Sequence, residues 1–142
     1  MKRYLLDTNT VSHLIKGHPA VAQWVVAVPL ASLCISAITE GELLFGLAKR
    51  PDAKRLHLVV QEFLRRVDVL PWDSLTAKYY GTVRADMGRQ GKILAPLDLL
   101  IAAHALSVSA VLVTNDRAFC QVADLSIEDW TTHPMHGELP KS

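Results

Sequence analysis

A chain of 142 residues, half of them hydrophobic and a fifth charged, is sized for one folded domain with a substantial core and is too apolar for extended disorder. Its formal charge of +1 gives no global basic signature of a nucleic-acid binder, although acids gathered in one pocket would leave the remaining surface more basic than the total suggests. Two cysteines, Cys34 and Cys120, argue against a disulfide scaffold and for a cytoplasmic protein, and the apolar stretch after Lys2 and Arg3 is far short of a signal-peptide core.

Short β-rich runs alternate with longer helix-compatible ones along the chain. Arg3 to Leu6 reads as the first strand and stops at Asp7. Asn9 to Lys16 and Pro19 to Val28 read as a helical pair broken at Gly17, His18 and Pro19. Leu33 to Ser36 is the second strand, with Cys34 a small buried hydrophobe inside it. Ala37 to Lys49 and Asp52 to Arg66 form a second helical pair, parted at Arg50 and Pro51, and Val67 to Leu70 is the third strand. Ser74 is expected to cap a helix from Leu75 to Arg89, with Gly91 beyond its end. Leu97 to Val108 is apolar almost all round, which predicts a central helix, and Val111 to Thr114 is the fourth strand. Pro96, Asp98, His104, Ser107 and Ser109 interrupt the apolar region from Ile93 to Val113, so a buried helix and strand are expected there, not a membrane span. Ser126 to Trp130 adds a short edge strand, and 131–142 is a polar tail outside a domain at 1–130. The Trp24-to-Val28 and Leu43-to-Leu47 stretches read as core, and His104 as a hydrogen-bonded core or interface residue. This order of elements predicts βαβ units and a parallel sheet covered by helices.

Four acids mark the ends of the apolar segments. Asp7 and Asp116 follow the first and fourth strands closely, and open parallel sheets build their sites beyond the carboxyl ends of strands, so both belong on one rim. Asp98 lies in the first turn after Pro96, where exposed amides and the helix dipole favour negative charge, and Ala102 and Ala105 leave room near it. Beyond the second strand the helical pattern does not choose between Glu40, which leans toward Leu43, Leu44 and Leu47, and Glu42, nearer Ile38, Phe45 and Gly46. Carboxylates gathered this way repel one another unless a hard divalent cation sits among them. The pattern therefore points to a Mg²⁺- or Mn²⁺-dependent site for phosphoryl transfer or phosphodiester cleavage. His133 and His136 form a short histidine pair, but nothing near them supplies the other ligands of a zinc site.

The words Leu6-Asp-Thr-Asn9, Ser36-Ala-Ile-Thr39 leading to Glu42, Leu43 and Gly46, Asp98-Leu-Leu-Ile-Ala-Ala103, and Val113-Thr-Asn-Asp116 with Phe119 are specific in this order and spacing. From Tyr4 to Trp130 the chain resembles the PIN-domain ribonucleases, and among them the VapC toxins of bacterial toxin-antitoxin pairs. The resemblance implies a PIN-like three-layer α/β/α sandwich with a central parallel sheet of four to five strands. It implies Asp7, Glu42 and Asp98 as the main catalytic and metal-holding acids and favours Glu42 over Glu40. Asp116 is implied as the fourth acid, at a position that is asparagine in some relatives, with Asn9, Thr114 and Asn115 as supporting polar groups. The implied activity is that of a toxin, a Mg²⁺-dependent endoribonuclease that hydrolyses RNA and so inhibits translation; attack by a metal-bound water would leave the phosphate on the 5′ end of the downstream fragment. Transfer RNA is the leading substrate, with the initiator anticodon stem-loop first among the sites. The implied partner is a small antitoxin that lays a helical segment in an apolar groove, sends a basic residue toward the acids and alone contacts DNA. Toxin homodimers within larger complexes belong to the same resemblance.

RNA also needs cations around the acids, and the candidates are Arg84, Arg89, Lys92 and Arg117, with Lys49 and Arg50 behind them. Two rival classes fit less well. An aspartyl-phosphate phosphatase would use Asp7 as nucleophile, but the residue two places on is Asn9 and no suitably placed lysine follows Val113 and Thr114. A non-catalytic module binding RNA or protein on the same scaffold has little reason to hold four acids on one rim.

Overall fold

The computed structural model describes residues 2–132. Five strands, β1 (Tyr4–Leu6), β2 (Leu33–Ser36), β3 (Asp68–Leu70), β4 (Val111–Val113) and β5 (Ile127–Glu128), form one sheet in the order β3-β2-β1-β4-β5. Every neighbouring pair is parallel. Helices α1 (Thr8–Ile15) and α2 (Pro19–Ala27) connect β1 to β2, α3 (Ala37–Ala48) and α4 (Lys54–Arg66) connect β2 to β3, and α5 (Ser74–Arg89) and α6 (Pro96–Ser107) connect β3 to β4. The chain builds outward from β1 to β3, then returns to lay β4 on the other side of β1. Strand order thus reverses between β1 and β4, the place where open parallel sheets form their ligand crevices.

Side chains alternate across each strand, so a strand covered on both faces must be apolar at every position. Tyr4 and Leu6 pack with Val11, Val21, Leu43 and Val60 of α1 to α4, whereas Leu5 packs with Met87 of α5 and Ile101, Ala102 and Ala105 of α6. These two cores, one on each face of the sheet, make the three layers α/β/α, as expected. Trp130 closes the first core, stacked on Trp24 and tilted against Tyr4.

The expected elements are all present, with ends shifted by one or two residues. Short 3₁₀ helices at Leu30–Ser32 and Arg117–Gln121 were not anticipated. The cap of α5 is Asp73, not Ser74: its carboxylate accepts from the Thr76 amide and hydroxyl, both at 3.0 Å, the reach of a cap to the third helical residue. The core expected along α2 and α3 is narrower than the apolar runs. Val28, Leu43 and Leu47 are buried, but Val26 is 83% exposed and Phe45 63%, because a helix against a sheet turns only one stripe inward. Among the described residues no helix is long and apolar enough to cross a membrane. Thr131 bonds Asp129, and the Thr132 carbonyl accepts from Trp24 Nε1 at 3.3 Å; the rest of the tail, with His133 and His136, lies outside the described residues.

Candidate active site

Asp7 is fixed by the chain's exit from β1. Its amide donates to the Val113 carbonyl at 3.0 Å, its Oδ1 caps α1 by accepting from the Thr10 amide at 2.8 Å, and the Thr10 hydroxyl donates to the same Val113 carbonyl at 3.0 Å. The ends of β1 and β4 are thereby held together around one carboxylate that is only 4% exposed. Burial raises its pKa above the ordinary carboxylate value. Hydrogen bonds from Thr114 and Thr10 oppose that shift, and the Asp116 charge adds to it.

Thr114 serves the next acid as well, since its hydroxyl oxygen accepts from the Asp116 amide at 3.0 Å. Asp116 then caps the 3₁₀ helix, with Oδ1 accepting from Ala118 at 2.9 Å, and Phe119 anchors that helix in the second core. Asp98 stands half-buried in the first turn of α6 after Pro96. Its pKa is raised first by burial and then by repulsion from Asp116, Asp7 and Glu42 in turn, so the three other acids all act on this one carboxyl group.

A cleft of about 170 Å³ is lined by Asp7, Thr8, Asn9, Glu42, Asp98 and Ile101. Glu42, not Glu40, faces it. Asp116 is not part of that lining and acts on it through its charge on Asp7 and Asp98. Of the expected supporting groups, Thr114 is buried between two acids, Asn9 lines the cleft and Asn115 is exposed beside Asp116. The sequence reading missed Thr8, whose hydroxyl lies 2.6 Å from Glu42 Oε1 and 3.3 Å from Thr39 Oγ1. Its signal was the hydroxyl one residue after the first acid, inside the Leu6-to-Asn9 word.

All donors in the cleft are hard oxygens, which suits Mg²⁺ or Mn²⁺ and not a thiophilic metal. Among the described residues no three acidic, histidine or cysteine side chains form a ready-made cage. Mg²⁺ does not require one, because it commonly keeps several waters and is held through one or two carboxylates. The residues present therefore fit a partly hydrated divalent cation.

The expected RNA-contacting cations divide. Arg117 is exposed next to Asp116, at the start of the 3₁₀ helix. Arg84 and Lys92 line a groove beside the N-terminal turn of α6, whereas Arg89 is ion-paired with Asp86 on its own helix.

The PIN domain family model matches residues 4–125. The tRNA(fMet)-specific endonuclease VapC of Shigella flexneri is 37% identical over 132 residues, which span 92% of this chain and all of that protein. Among solved structures, DNA-bound VapBC from Salmonella typhimurium superimposes with a TM-score of 0.85 at 37% identity, covering 92% of this chain and 99% of its counterpart. VapBC2 from Rickettsia felis, bound to a DNA fragment from its promoter, gives 0.82 at 31% identity, covering 89% and 98%.

Proposed function

The chain belongs to the PIN-domain family and, within it, to the VapC proteins, and from that premise we propose that it is a metal-dependent endoribonuclease acting as the toxin of a toxin-antitoxin pair. The observation that carries the reading is the coupling of Asp98 to Asp116, Asp7 and Glu42 around one cleft at the reversal of strand order. Repelling carboxylates held in place by caps and strand-end hydrogen bonds are a standing demand for positive charge.

Asp7, Glu42, Asp98 and Asp116 would hold Mg²⁺, with Mn²⁺ able to substitute. Bound there, the ion would supply a water of lowered pKa and positive charge to offset that of the phosphodiester. Asp7 is fixed by the α1 cap, Glu42 is oriented by Thr8, and Thr114 ties the Asp7 carboxylate to the Asp116 backbone. Asn9 offers the cleft an uncharged hydrogen-bonding group, and Arg117 a cation beside the acids. The name of the Shigella flexneri relative makes initiator tRNA the leading substrate, whose cleavage would inhibit translation in the cytoplasm.

A cognate antitoxin is the expected partner, and DNA is expected to be reached only through it, in keeping with the two DNA-bound VapBC structures. A groove of about 240 Å³ between α1, α3 and α4, floored by Ile15, Leu43, Leu47, Leu56 and Val60 and adjoining Glu42, suits an apolar helical segment. The exposed Leu44 and Phe45 on α3 offer further apolar surface. A homodimer within the larger complex completes the reading.

The test is to incubate the purified chain, freed of any partner, with total tRNA and Mg²⁺, beside Asp7→Asn and a chelator control, and to map the cut ends. Cleavage that requires metal and is lost in Asp7→Asn is expected. Cleavage that survives chelation, or that needs the RNA 2′-hydroxyl as nucleophile, would overturn the hydrolytic mechanism.

A further inference from the structure

The N-terminal turn of α6 stands between two concave surfaces. Asp98 and Ile101 face the acid cleft, whereas Pro96 and Leu99 line a groove of about 340 Å³ with Tyr80, Arg84 and Lys92. Residues two apart on a helix point in nearly opposite directions, so groove and cleft are separated by roughly one helix diameter, ~10 Å. Groove and cleft thus lie on two sides of the same helical turn.

Its walls are built, not incidental. Trp72 Nε1 donates to the Leu100 carbonyl of α6 at 3.0 Å, and the Trp72 ring meets Tyr80 edge-on with centroids 5.9 Å apart, so the aromatic pair is fastened to the helix that carries Asp98. Arg84 Nη1 donates to the Tyr80 hydroxyl at 2.7 Å, and its guanidinium carbon lies 5.9 Å from the Tyr80 ring centroid. That contact uses one of five N–H donors and restrains the side chain. At the other end, Lys92 Nζ reaches the Gln121 carbonyl at 3.3 Å. Among the described residues neither cation has a carboxylate partner, whereas Arg65, Arg66 and Arg89 are all ion-paired. Ile93, 83% exposed, adds apolar surface beside Lys92.

Two unpaired cations flanking an aromatic and aliphatic floor match a nucleotide, whose phosphate takes the charge and whose base takes the stacking surface. Resting on the ribonuclease reading above, we propose that this groove holds a nucleotide of the RNA strand adjacent to the scissile phosphate. Arg84 and Lys92 contact the backbone, Tyr80 offers its ring to a base, and the Tyr80 hydroxyl and Trp72 act as positioning groups for Arg84 and Tyr80. Two cations favour a polyanion over an apolar partner, and position beside the acids favours the substrate over an unrelated acidic ligand.

The experiment measures binding of unfractionated tRNA in chelator as a function of salt, and single-turnover cleavage in Mg²⁺, for the wild type, Arg84→Ala, Lys92→Ala and Tyr80→Ala. Arg84→Lys and Tyr80→Phe serve as conservative controls, and circular dichroism and sedimentation verify fold and mass. Arg84→Ala and Lys92→Ala are each expected to weaken binding ~10-fold and to make the slope of log affinity against log salt shallower by ~0.7, with the cleavage rate at saturating RNA nearly unchanged. Tyr80→Ala is expected to weaken binding ~10-fold through lost stacking, and Tyr80→Phe to retain most of it. Arg84→Lys should keep the salt slope. Unchanged affinity and slope in all three alanine variants, with a wild type that cleaves, would remove the groove from the RNA path and leave the nuclease reading standing. A change of oligomeric mass with unchanged RNA affinity would assign the groove to a second copy and overturn the proposal. A wild type that neither binds nor cleaves RNA would overturn the ribonuclease reading and the groove with it.

Discussion

The Thr8 hydroxyl lies 2.6 Å from Glu42 Oε1, joining the first residue of α1 to the middle of α3 and so the acid beyond β2 to the acid beyond β1. A charge-assisted bond of this length orients a carboxylate that no backbone cap holds. Thr8→Val, which keeps the shape and removes the donor, is expected to raise the Mg²⁺ concentration for half-maximal cleavage by ~10–100-fold, the usual cost of losing an outer-shell partner. Thr8→Ser should restore most of it. Metal titration of cleavage rates checks this, and an unchanged midpoint in Thr8→Val would make the bond merely structural.

Asp98 leads to a prediction about stability as well as activity. Its pKa is raised above the ordinary 3.8 by burial and by the three other acids, so the folded state holds this proton more tightly than the unfolded chain does. Stability linked to that proton is fully present below the ordinary value and is lost as pH climbs through the raised one. At neutral pH without metal, Asp98→Asn is therefore expected to melt above the wild type. With saturating Mg²⁺ the order should narrow or invert, since a ligand at a hundred times its Kd stabilises by ~2.7 kcal/mol and the variant loses a donor. Cleavage by Asp98→Asn should fall at least ~100-fold. Melting curves with and without Mg²⁺ at two pH values decide it.

His104 carries a different linkage. Buried at 1% exposure, it bonds Ser36 Oγ through Nδ1 at 2.7 Å, and Ser36 is also the cap of α3, accepting from Ile38 at 3.1 Å. The hydroxyl of Ser36 can donate or accept, so the bond to Nδ1 persists in whichever tautomer the ring adopts. Burial lowers the His104 pKa below the ordinary 6.5, and the unfolded chain takes the proton first as pH falls. Stability from this group is complete above the ordinary value and declines through the acid side of it. His104→Ala is expected to cost ~2–4 kcal/mol at neutral pH through the cavity and the orphaned partners, and to flatten the decline below pH ~6.5. Urea midpoints across pH test both; an unflattened slope would place the linkage elsewhere.

What the sequence made legible follows from periodicity and covalent order. β1 and β4 are apolar at every position and β2 at all but its last, Ser36, as a strand covered on both faces requires, and Asp7 and Asp116 are one and three residues beyond their strand ends, so the parallel topology alone brings them near. The choice between Glu40 and Glu42 was not legible from pattern, because it depends on the rotation of α3 about its axis, which Thr8 and the packing of Leu43 and Leu47 define. The α5 cap was misjudged by one residue because Asp73 and Ser74 are both good caps, and the competition is settled by the Thr76 hydroxyl, which adds a second bond to Asp73. The Trp72, Tyr80 and Arg84 cluster was invisible because Trp72 lies in a connection and meets α6 only in three dimensions.

Trp130 provides the last prediction, which concerns where the domain ends. Its ring is 1% exposed, stacked on Trp24 with centroids 5.6 Å apart at an interplanar angle of 6°, 5.2 Å from the Tyr4 centroid, and its Nε1 donates to Glu128 at 3.0 Å. Trp24 also reaches two residues beyond its stacking partner, to the Thr132 carbonyl. The first core thus draws on the chain as far as Thr132, and the polar residues after it are not expected to add to stability. A chain ending at Thr132 is expected to keep the urea midpoint and the cleavage activity of the full chain. Trp130→Ala is expected to lose ~3–5 kcal/mol, a large part of the ~5–15 kcal/mol that holds an ordinary domain together, through the cavity left against Tyr4 and Trp24. Equilibrium unfolding of the two variants separates the cases: a shortened chain as unstable as Trp130→Ala would mean that the segment after Thr132 belongs to the folded domain.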